Sequence, residues 1–470
     1  MTEPSAHEWL RRLEARELSA VELATHYLAR LEAENPRLNA VAAVRPDAVL
    51  AAAAKADEAR AAGGSGALLG LPVTIKDTIA VAGLPCASGS LARRAHIATE
   101  DATAVARLRA AGAVVLAKTA VPEYAWSYET ESLVGGRTLS PFDPERTAGG
   151  SSGGEGALLG ADASPIGIGT DGGGSIRVPS HYCGVVGIRP STRLVPETGC
   201  WPSTRDTGML DMSCIGPLGR TVDDVALVLG LIAGGDGIDP FVGAATIGDH
   251  RSVDPAALRV GFYTRDGVWP PTVETEAAVS RAAHALADRG AHVEQVEPPP
   301  LEEAADLFFR MMAADGGARA RADLAPAGDR HTEQMLFVLD LVRGYALSAE
   351  GFFALLGRWS AFRSRLQRFV GRYDIVISPV APGPAPLHGC VPGVDTPIAS
   401  YLPWANVQAY SIGGLPVAVV PVGIERGLPL GVQIAASSFR DHVALAAAAV
   451  IEESTGGYAG LTSSLLPAPA

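Results

Sequence analysis

The stretch GGSSGGEGALLGADASPIGIGTDGGGSIRVP, Gly149 to Pro179, constrains this chain more than any other part of it. It holds two glycine loops built around serines: Gly149 to Gly154 encloses Ser151 and Ser152, and Gly172 to Gly174 leads into Ser175. Ser151 and Ser175 stand 24 residues apart. Glycine gives up more conformational entropy on folding than any other residue, so dense runs of it imply close backbone approach or unusual dihedrals. A run of N–H groups ahead of a serine is also what an oxyanion hole requires. Gly and Ser together equally describe a flexible linker. The segment between the loops, Glu155 to Ile168, is apolar and rich in Ala and Leu, which suits a buried element better than a solvated tether.

A chain of 470 residues with 47% hydrophobic and 19% charged composition reads as globular, with a sizeable core. Length alone would suggest roughly two or three domains. No internal repeat or low-complexity tract divides it, so one domain over residues 1–470 is expected. The net charge of −13 argues against a nucleic-acid or anionic-membrane partner, since both favour a basic face. The five cysteines, Cys86, Cys183, Cys200, Cys214 and Cys390, are scattered, odd in number and without metal-ligand spacing. Neither a disulfide framework nor a zinc site is expected, and no metal or cofactor. The N-terminus is a charged helical pattern, and no window approaches ~18 uninterrupted apolar residues, so the expected location is cytoplasmic. A homodimer is left open.

Two amphipathic helices are expected over Ser5 to Ala33, with Ser19 as an N-cap, and an alanine-rich helix over Pro46 to Ala62 before the Gly63, Gly64 stop. Next comes LLGLPVTIKDTIAVAGLP, Leu68 to Pro85. Only three of the 38 basic residues are lysines, Lys55, Lys76 and Lys118. A lysine inside the apolar run Val73 to Val81 therefore invites the reading that this position needs a group able to lose its proton, which Arg cannot do. A lysine snorkelling from a strand end is the other reading, and for Lys55 the natural one.

Helix, strand and loop follow from Thr103 through GAVVLAKTAVPEYAW, with Lys118 after a buried strand. Short apolar strands or turns are expected at His181 to Ile188 and Ser213 to Arg220, a helix opening at Thr221, and strands at Leu258 to Tyr263, Asp374 to Pro382 and Leu415 to Gly423. LPLGVQIAA and a closing helix, Asp441 to Glu453, complete the pattern. Residues 271–373 turn helical and read as an inserted layer, flanked by core at about 65–265 and 374–455. The fold class is α/β: a single domain with a mixed, twisted sheet covered by helices on both sides.

Three chemistries compete for the serine loops. Gly167-x-Gly169-x-x-Gly172 matches a dinucleotide fingerprint in form, but no clear strand precedes it and Pro179 interrupts the helix that should follow. Gly150-x-Ser152-x-Gly154 matches a nucleophile elbow, which would make Ser152 the nucleophile of an esterase of the α/β-hydrolase type. The histidine it needs has no recognisable setting among His181, His331, His388 and His442, and PFDPERTAGG replaces the leading strand. The third reading takes Ser175 as nucleophile, Ser151 as proton relay and Lys76 as base.

On these residues the chain resembles the amidase signature family: the GGSSGG loop, TDGGGSIR 24 residues on, and the lysine of PVTIKD stand in matching order. ENPRLNAV, LAKTAVPEYAW, CGVVGIRPS, GPLGRTVDDVALVL and GLPVAVVPVG extend the resemblance over nearly the whole chain, least over residues 271–373. It implies Lys76 as general base, Ser151 as a serine with a cis peptide bond, Ser175 as acyl-enzyme nucleophile, and the N–H groups of Gly172, Gly173, Gly174 and Ser175 as oxyanion donors. Asp171 and Arg177 bracket the nucleophile and can brace its loop as an ion pair, or stand as an incidental surface pair, with Ser152 in a supporting place. Cys86, Tyr124, Trp126 and Trp201 are candidates for an apolar substrate pocket or for plain core.

The chain departs from the family's usual residues at Gly172, Arg189 and Ser411, and in His181 and Tyr182, which either face the pocket or pack. The implied activity is hydrolysis of a small-molecule carboxamide to carboxylate plus ammonia or amine, without a cofactor. The alternatives from other classes are a transamidation subunit that works on charged tRNA with a partner protein, and a catalytically dead binding member.

Overall fold

The computed structural model of the chain describes residues 3–205, 209, 211–389 and 398–465. Cys390 lies outside the described residues. Its strands in chain order are β1 (Val41–Ala43), β2 (Pro72–Lys76), β3 (Val114–Thr119), the small ribbon β4 and β5 (Glu131–Ser132 and Gly136–Arg137), β6 (Ile166–Thr170), β7 (Val186–Arg189), β8 (Ile215–Gly219), β9 (Arg259–Phe262), β10 (His292–Gln295), β11 (Ile375–Pro379), β12 (Val417–Glu425) and β13 (Leu428–Ala436). All but the ribbon join one 11-stranded sheet in the order β1-β3-β2-β6-β8-β7-β12-β13-β11-β9-β10. Strands β3, β2 and β6 run parallel, as do β11, β9 and β10, and the pairs between and beside them are antiparallel.

Alternation along the central strands sends side chains into two cores. Ala418, Val420, Ile434 and Ala436 join Val225, Leu286 and Leu445 on one face, while Val417, Val419 and Ala435 join Val178, Phe308 and Phe362 on the other. Successive strand residues point to opposite faces, so a sheet apolar at both parities must be covered twice. Helices Val222–Ile232, Val273–Ala287 and Asp441–Thr455 cover the first face. Arg177–Tyr182, Ala304–Met312 and Ala349–Val370 contribute to the second.

The local signals place most elements where they fall. Ser19 caps Ala20–Leu38 in a capping box with Glu22, and Thr221 caps the helix opening at Val222 through the Asp224 N–H. The block at 271–373 is not purely helical. Strand β10 lies parallel beside β9 at the sheet edge, so this part of the block belongs to the sheet, and the layer apart from it begins near Ala304. The strand HVEQ is short and mostly exposed, and so lacks the apolar run by which a buried strand is read. Lys118 lies inside β3 rather than after it. No described helix is long and apolar enough to cross a membrane.

Candidate active site

Strands β2 and β6 are parallel neighbours, so their carboxyl ends open at the same edge of the sheet. Lys76 is the last residue of β2, Thr170 the last of β6, and Ser175 follows five residues later. Lys76 is fully buried, which ends the snorkelling reading; Lys55, by contrast, is exposed on its helix. The Lys76 Nζ lies 2.8 Å from each of Ser151 Oγ, Ser152 Oγ and Thr170 Oγ1, and 3.2 Å from the Thr170 carbonyl. Among the described residues, no carboxylate stands within ion-pair distance of it. Burial lowers its pKa to about 7, although Asp171 and Glu155 pull the other way. Lys118, one strand over, is buried too but carries its own counter-ion, Asp77, at 3.2 Å.

The Gly150–Ser151 peptide is cis. Glycine is needed there for space: a Cβ on Gly150 would lie 2.5 Å from the Ser127 carbonyl oxygen, and one on Gly154 2.5 Å from the Ala120 nitrogen. The loop is thus packed backbone to backbone and is no linker. Ser152 is fully buried, its N–H donates to the Ser175 carbonyl at 3.1 Å, and it is not among the residues that line the cleft. This closure, with its hydroxyl turned onto Lys76, leaves the elbow reading without an accessible nucleophile. The dinucleotide reading fails as well, because Gly167 and Gly169 lie inside β6 and not in a loop.

Ser175, half-buried, shares the wall of the cleft with Ser151, Gly172 and Gly173. Asp171 organises the loop that carries it. Its carboxylate accepts from the N–H groups of Gly174 at 2.8 Å and Ile176 at 3.0 Å, and from Arg177 Nε at 3.1 Å and Nη2 at 3.0 Å. The expected donor set is therefore corrected: the Gly174 N–H is turned inward to Asp171 and is not available to an oxyanion. Those of Gly172, Gly173 and Ser175 have no partner among the described residues. Gly174 reaches this orientation at φ 123°, a region glycine tolerates. Tyr128 fixes the loop from the other side, donating to the Gly173 carbonyl at 2.7 Å, accepting from Gln408 at 3.0 Å, and stacking on Trp404 at 4.7 Å.

The cleft is walled mainly by Tyr124, Trp126, Phe308, Phe309, Met312 and Tyr401. Of the four pocket candidates, Tyr124 and Trp126 line it. Trp201 packs edge-on behind Tyr124 at 5.4 Å, under Arg93, and Cys86 is buried with its thiol towards the Asp77 carbonyl at 3.5 Å. Neither is among the residues that line the cleft. Two carboxyls escaped the reading of the sequence. Glu155, inside the glycine-loop helix, accepts from Thr74 at 2.6 Å and Thr119 at 2.9 Å, and burial pushes it up to about 8 against those bonds. Glu197 lines the cleft. An acid among apolar residues was the available signal for Glu155; nothing local marked Glu197.

A family model described as Amidase matches residues 22–445. The chain belongs to the amidase signature family. Among curated relatives it is 34% identical to the glutamyl-tRNA(Gln) amidotransferase A subunit of Roseiflexus sp. (strain RS-1), over 91% of this chain and 92% of that one. It is also 34% identical to indoleacetamide hydrolase of Bradyrhizobium diazoefficiens, over 93% of this chain and 84% of that one. A solved bacterial aryl acylamidase of the amidase signature family superposes with a TM-score of 0.86, at 26% identity over 100% of this chain and 99% of that one.

Seen as a family member, the chain's departures find local reasons. Ser411 receives a hydrogen bond from Arg177 at 2.7 Å, and Arg189 lies 3.7 Å from Asp171 while donating to the carbonyls of Leu415 and Met212. His181 is buried between the Gly431 N–H at 2.8 Å and the Gly383 carbonyl at 2.9 Å, and burial lowers its pKa to about 4. It packs with Tyr182 and does not face the cleft. Gly172 does, beside Met209, whose methyl group a Cβ there would strike. Among the described residues, no group of three or more His, Cys, Asp or Glu is placed to hold a metal ion.

Proposed function

We propose that the protein hydrolyses a carboxamide through a Ser175 acyl-enzyme, with Lys76 as base and Ser151 as relay. The observation that carries this reading is the 2.8 Å contact between Ser151 Oγ and a buried lysine with a pKa of about 7, at the wall of the cleft that Ser175 shares. A neutral amine has two N–H donors and one lone pair. Its oxygen neighbours can use all three, with a hydroxyl donating to the lone pair. Lys76 takes the proton of Ser151, Ser151 takes that of Ser175, and the Ser175 oxygen bonds to the amide carbon. The carbonyl oxygen gathers charge facing the N–H groups of Gly172, Gly173 and Ser175. The proton returns through Ser151 to the leaving nitrogen, the C–N bond breaks, and water cleaves the ester by the same relay, releasing carboxylate.

The aromatic and thioether walls favour an acyl group with a large apolar body. A second reading, the glutamine-cleaving component of a tRNA-dependent amidotransferase, is favoured by the Roseiflexus relative and others of its name. Against it, no Arg or Lys is among the described residues lining the cleft, where the α-carboxylate of glutamine would want one. Purified protein assayed against primary, aryl and peptide amides, with glutamine alongside, separates the two. Turnover of an aryl or alkyl amide, lost in Ser175→Ala, is expected. Turnover of glutamine alone, or growth of that activity on adding an amidotransferase partner and tRNA, would favour the second reading.

A further inference from the structure

One corner of the cleft is chemically unlike the rest. The segment Thr78–Ala80 runs antiparallel to Gly199–Trp201: the Trp201 N–H donates to the Thr78 carbonyl at 2.8 Å, the Ala80 N–H to the Gly199 carbonyl at 3.0 Å, and Ile79 bridges Cys200. The turn that leads into this pairing begins at Glu197, whose carbonyl accepts from the Cys200 N–H at 3.1 Å. Thr78 pairs with Trp201 across this ribbon and Glu197 opens its turn, and both line the cleft, as do Thr204 and Ser213.

The Glu197 carboxyl accepts from Ser213 Oγ at 2.6 Å and from Thr204 Oγ1, and no cation lies within ion-pair distance of it among the described residues. The nearby guanidinium of Arg205 is committed elsewhere, to Asp239 at 3.3 Å and Thr198 Oγ1 at 2.6 Å. Asp239 also receives the Glu197 N–H, so two carboxylates share one guanidinium and the corner has an unmatched acid. Glu197 is half-buried, a carboxyl drawn partly out of water without a counter-ion is costly, and this desolvation raises its pKa. The second observation is independent: Thr78 Oγ1 is buried and has no hydrogen-bond partner. Its residue is only 3% exposed, and it lines the same cleft. A buried hydroxyl left unpaired loses its hydration without compensation, so such a group is a place where a ligand atom belongs.

We propose that Glu197 and Thr78 bind a protonated amine on the substrate, making Glu197 a specificity-determining residue. The substrate class is then an amino-substituted carboxamide: an apolar body against Phe308, Phe309 and Tyr401, the scissile amide at Ser175, and an ammonium in this corner. An ammonium has three N–H donors and no acceptor, which suits a carboxylate and a hydroxyl oxygen together. This inference rests on the amide-hydrolase reading, but the corner's chemistry can be tested without turnover.

The experiment compares binding of benzylammonium and of its neutral isostere benzyl alcohol to the full-length protein by calorimetry or ligand-observed NMR at neutral pH. Benzylammonium is expected to bind at least ~10-fold tighter than the alcohol, since hydrogen bonds to charged groups exceed neutral ones by about that factor. Glu197→Gln should abolish the preference while leaving the alcohol's affinity unchanged, and Thr78→Val should reduce it by a smaller factor. Should Glu197→Gln fail to fold by thermal melting, Glu197→Asp and Thr78→Val carry the same comparison. Equal binding of the two ligands by the unmodified protein, or a preference that survives in the variants, overturns the proposal. Failure of amide hydrolysis with the binding preference intact would instead count against the hydrolase reading alone.

Discussion

Asp171 and Arg177 form a two-pronged ion pair with neither side chain exposed, and the same carboxylate holds the Gly174 and Ile176 N–H groups on either side of Ser175. Burial by itself would raise the Asp171 pKa, but Arg177 first and Arg189 after it hold the carboxyl well below the usual range. The pair therefore braces the loop that carries Ser175, placed out of reach of solvent screening.

Asp171→Asn should leave two buried guanidinium groups short of a counter-charge. The expected cost is ~3–5 kcal/mol of stability, read by denaturant unfolding, with a loss of Ser175 reactivity in the fraction that folds. Because the folded pKa is depressed, the contribution of Asp171 is present above its ordinary pKa of 3.8 and is lost only as pH falls towards the folded value. Unchanged stability in the Asn variant would show that the pair braces nothing.

As the proposed base, Lys76 must be neutral to accept a proton. With a pKa of about 7, the acid limb of kcat/KM should rise tenfold per pH unit below that value and level off above it. Lys76→Arg should be nearly inactive, since its guanidinium keeps the charge and cannot give up a proton. A flat profile between pH ~5 and ~8, or an active Arg variant, would show that another group is the base.

The same shift makes a stability prediction. The unfolded chain protonates this lysine near 10.5 and the folded chain near 7, so between those values the unfolded state binds more protons. Stability attributable to Lys76 is complete above about 10.5 and falls as pH drops to about 7, by ~5 kcal/mol. Lys76→Met should remove this pH dependence and raise the melting temperature at neutral pH, at the expense of activity.

A serine-directed fluorophosphonate should label the peptide carrying Ser175. Ser175→Ala should abolish labelling and hydrolysis together, and Ser151→Ala should slow labelling strongly without moving it, since a relay alters reactivity and not identity. An adduct on Ser152 would contradict the closure of that hydroxyl against Lys76.

Tyr128→Phe removes the hydrogen bond to the Gly173 carbonyl and the one accepted from Gln408, while preserving the ring stacked on Trp404. Losing that restraint should lower kcat by about tenfold with little change in KM, because an oxyanion donor acts chiefly in the transition state. A change confined to KM would place Tyr128 in substrate binding and not in loop orientation.

Features set by neighbours along the chain were legible from the residues alone. Ser19 marked a helix start, the apolar runs marked strands, and the two glycine loops with an isolated lysine offered three polar groups whose roles the family resemblance implied. These follow from local dihedral preferences and periodicity, which act within a few residues. Only the tertiary structure decided which donors remain free and which acids lack a counter-ion. Gly174 belongs to Asp171 because a carboxylate held by two arginines lies beneath it, one of them from the strand on the far side of β8. Cys86 and Trp201 lie off the cleft, Cys86 against the Asp77 carbonyl and Trp201 against the Tyr124 ring. Glu197 stands without a counter-ion because Arg205, eight positions on, is drawn to Asp239. Edge strand β10 was hidden for a related reason: an exposed strand has little hydrophobic pattern, and its pairing with β9 across 33 residues is all that defines it. A polar group's partner is chosen by the whole fold, since burial makes every unmet hydrogen bond or charge costly wherever in the chain its answer lies.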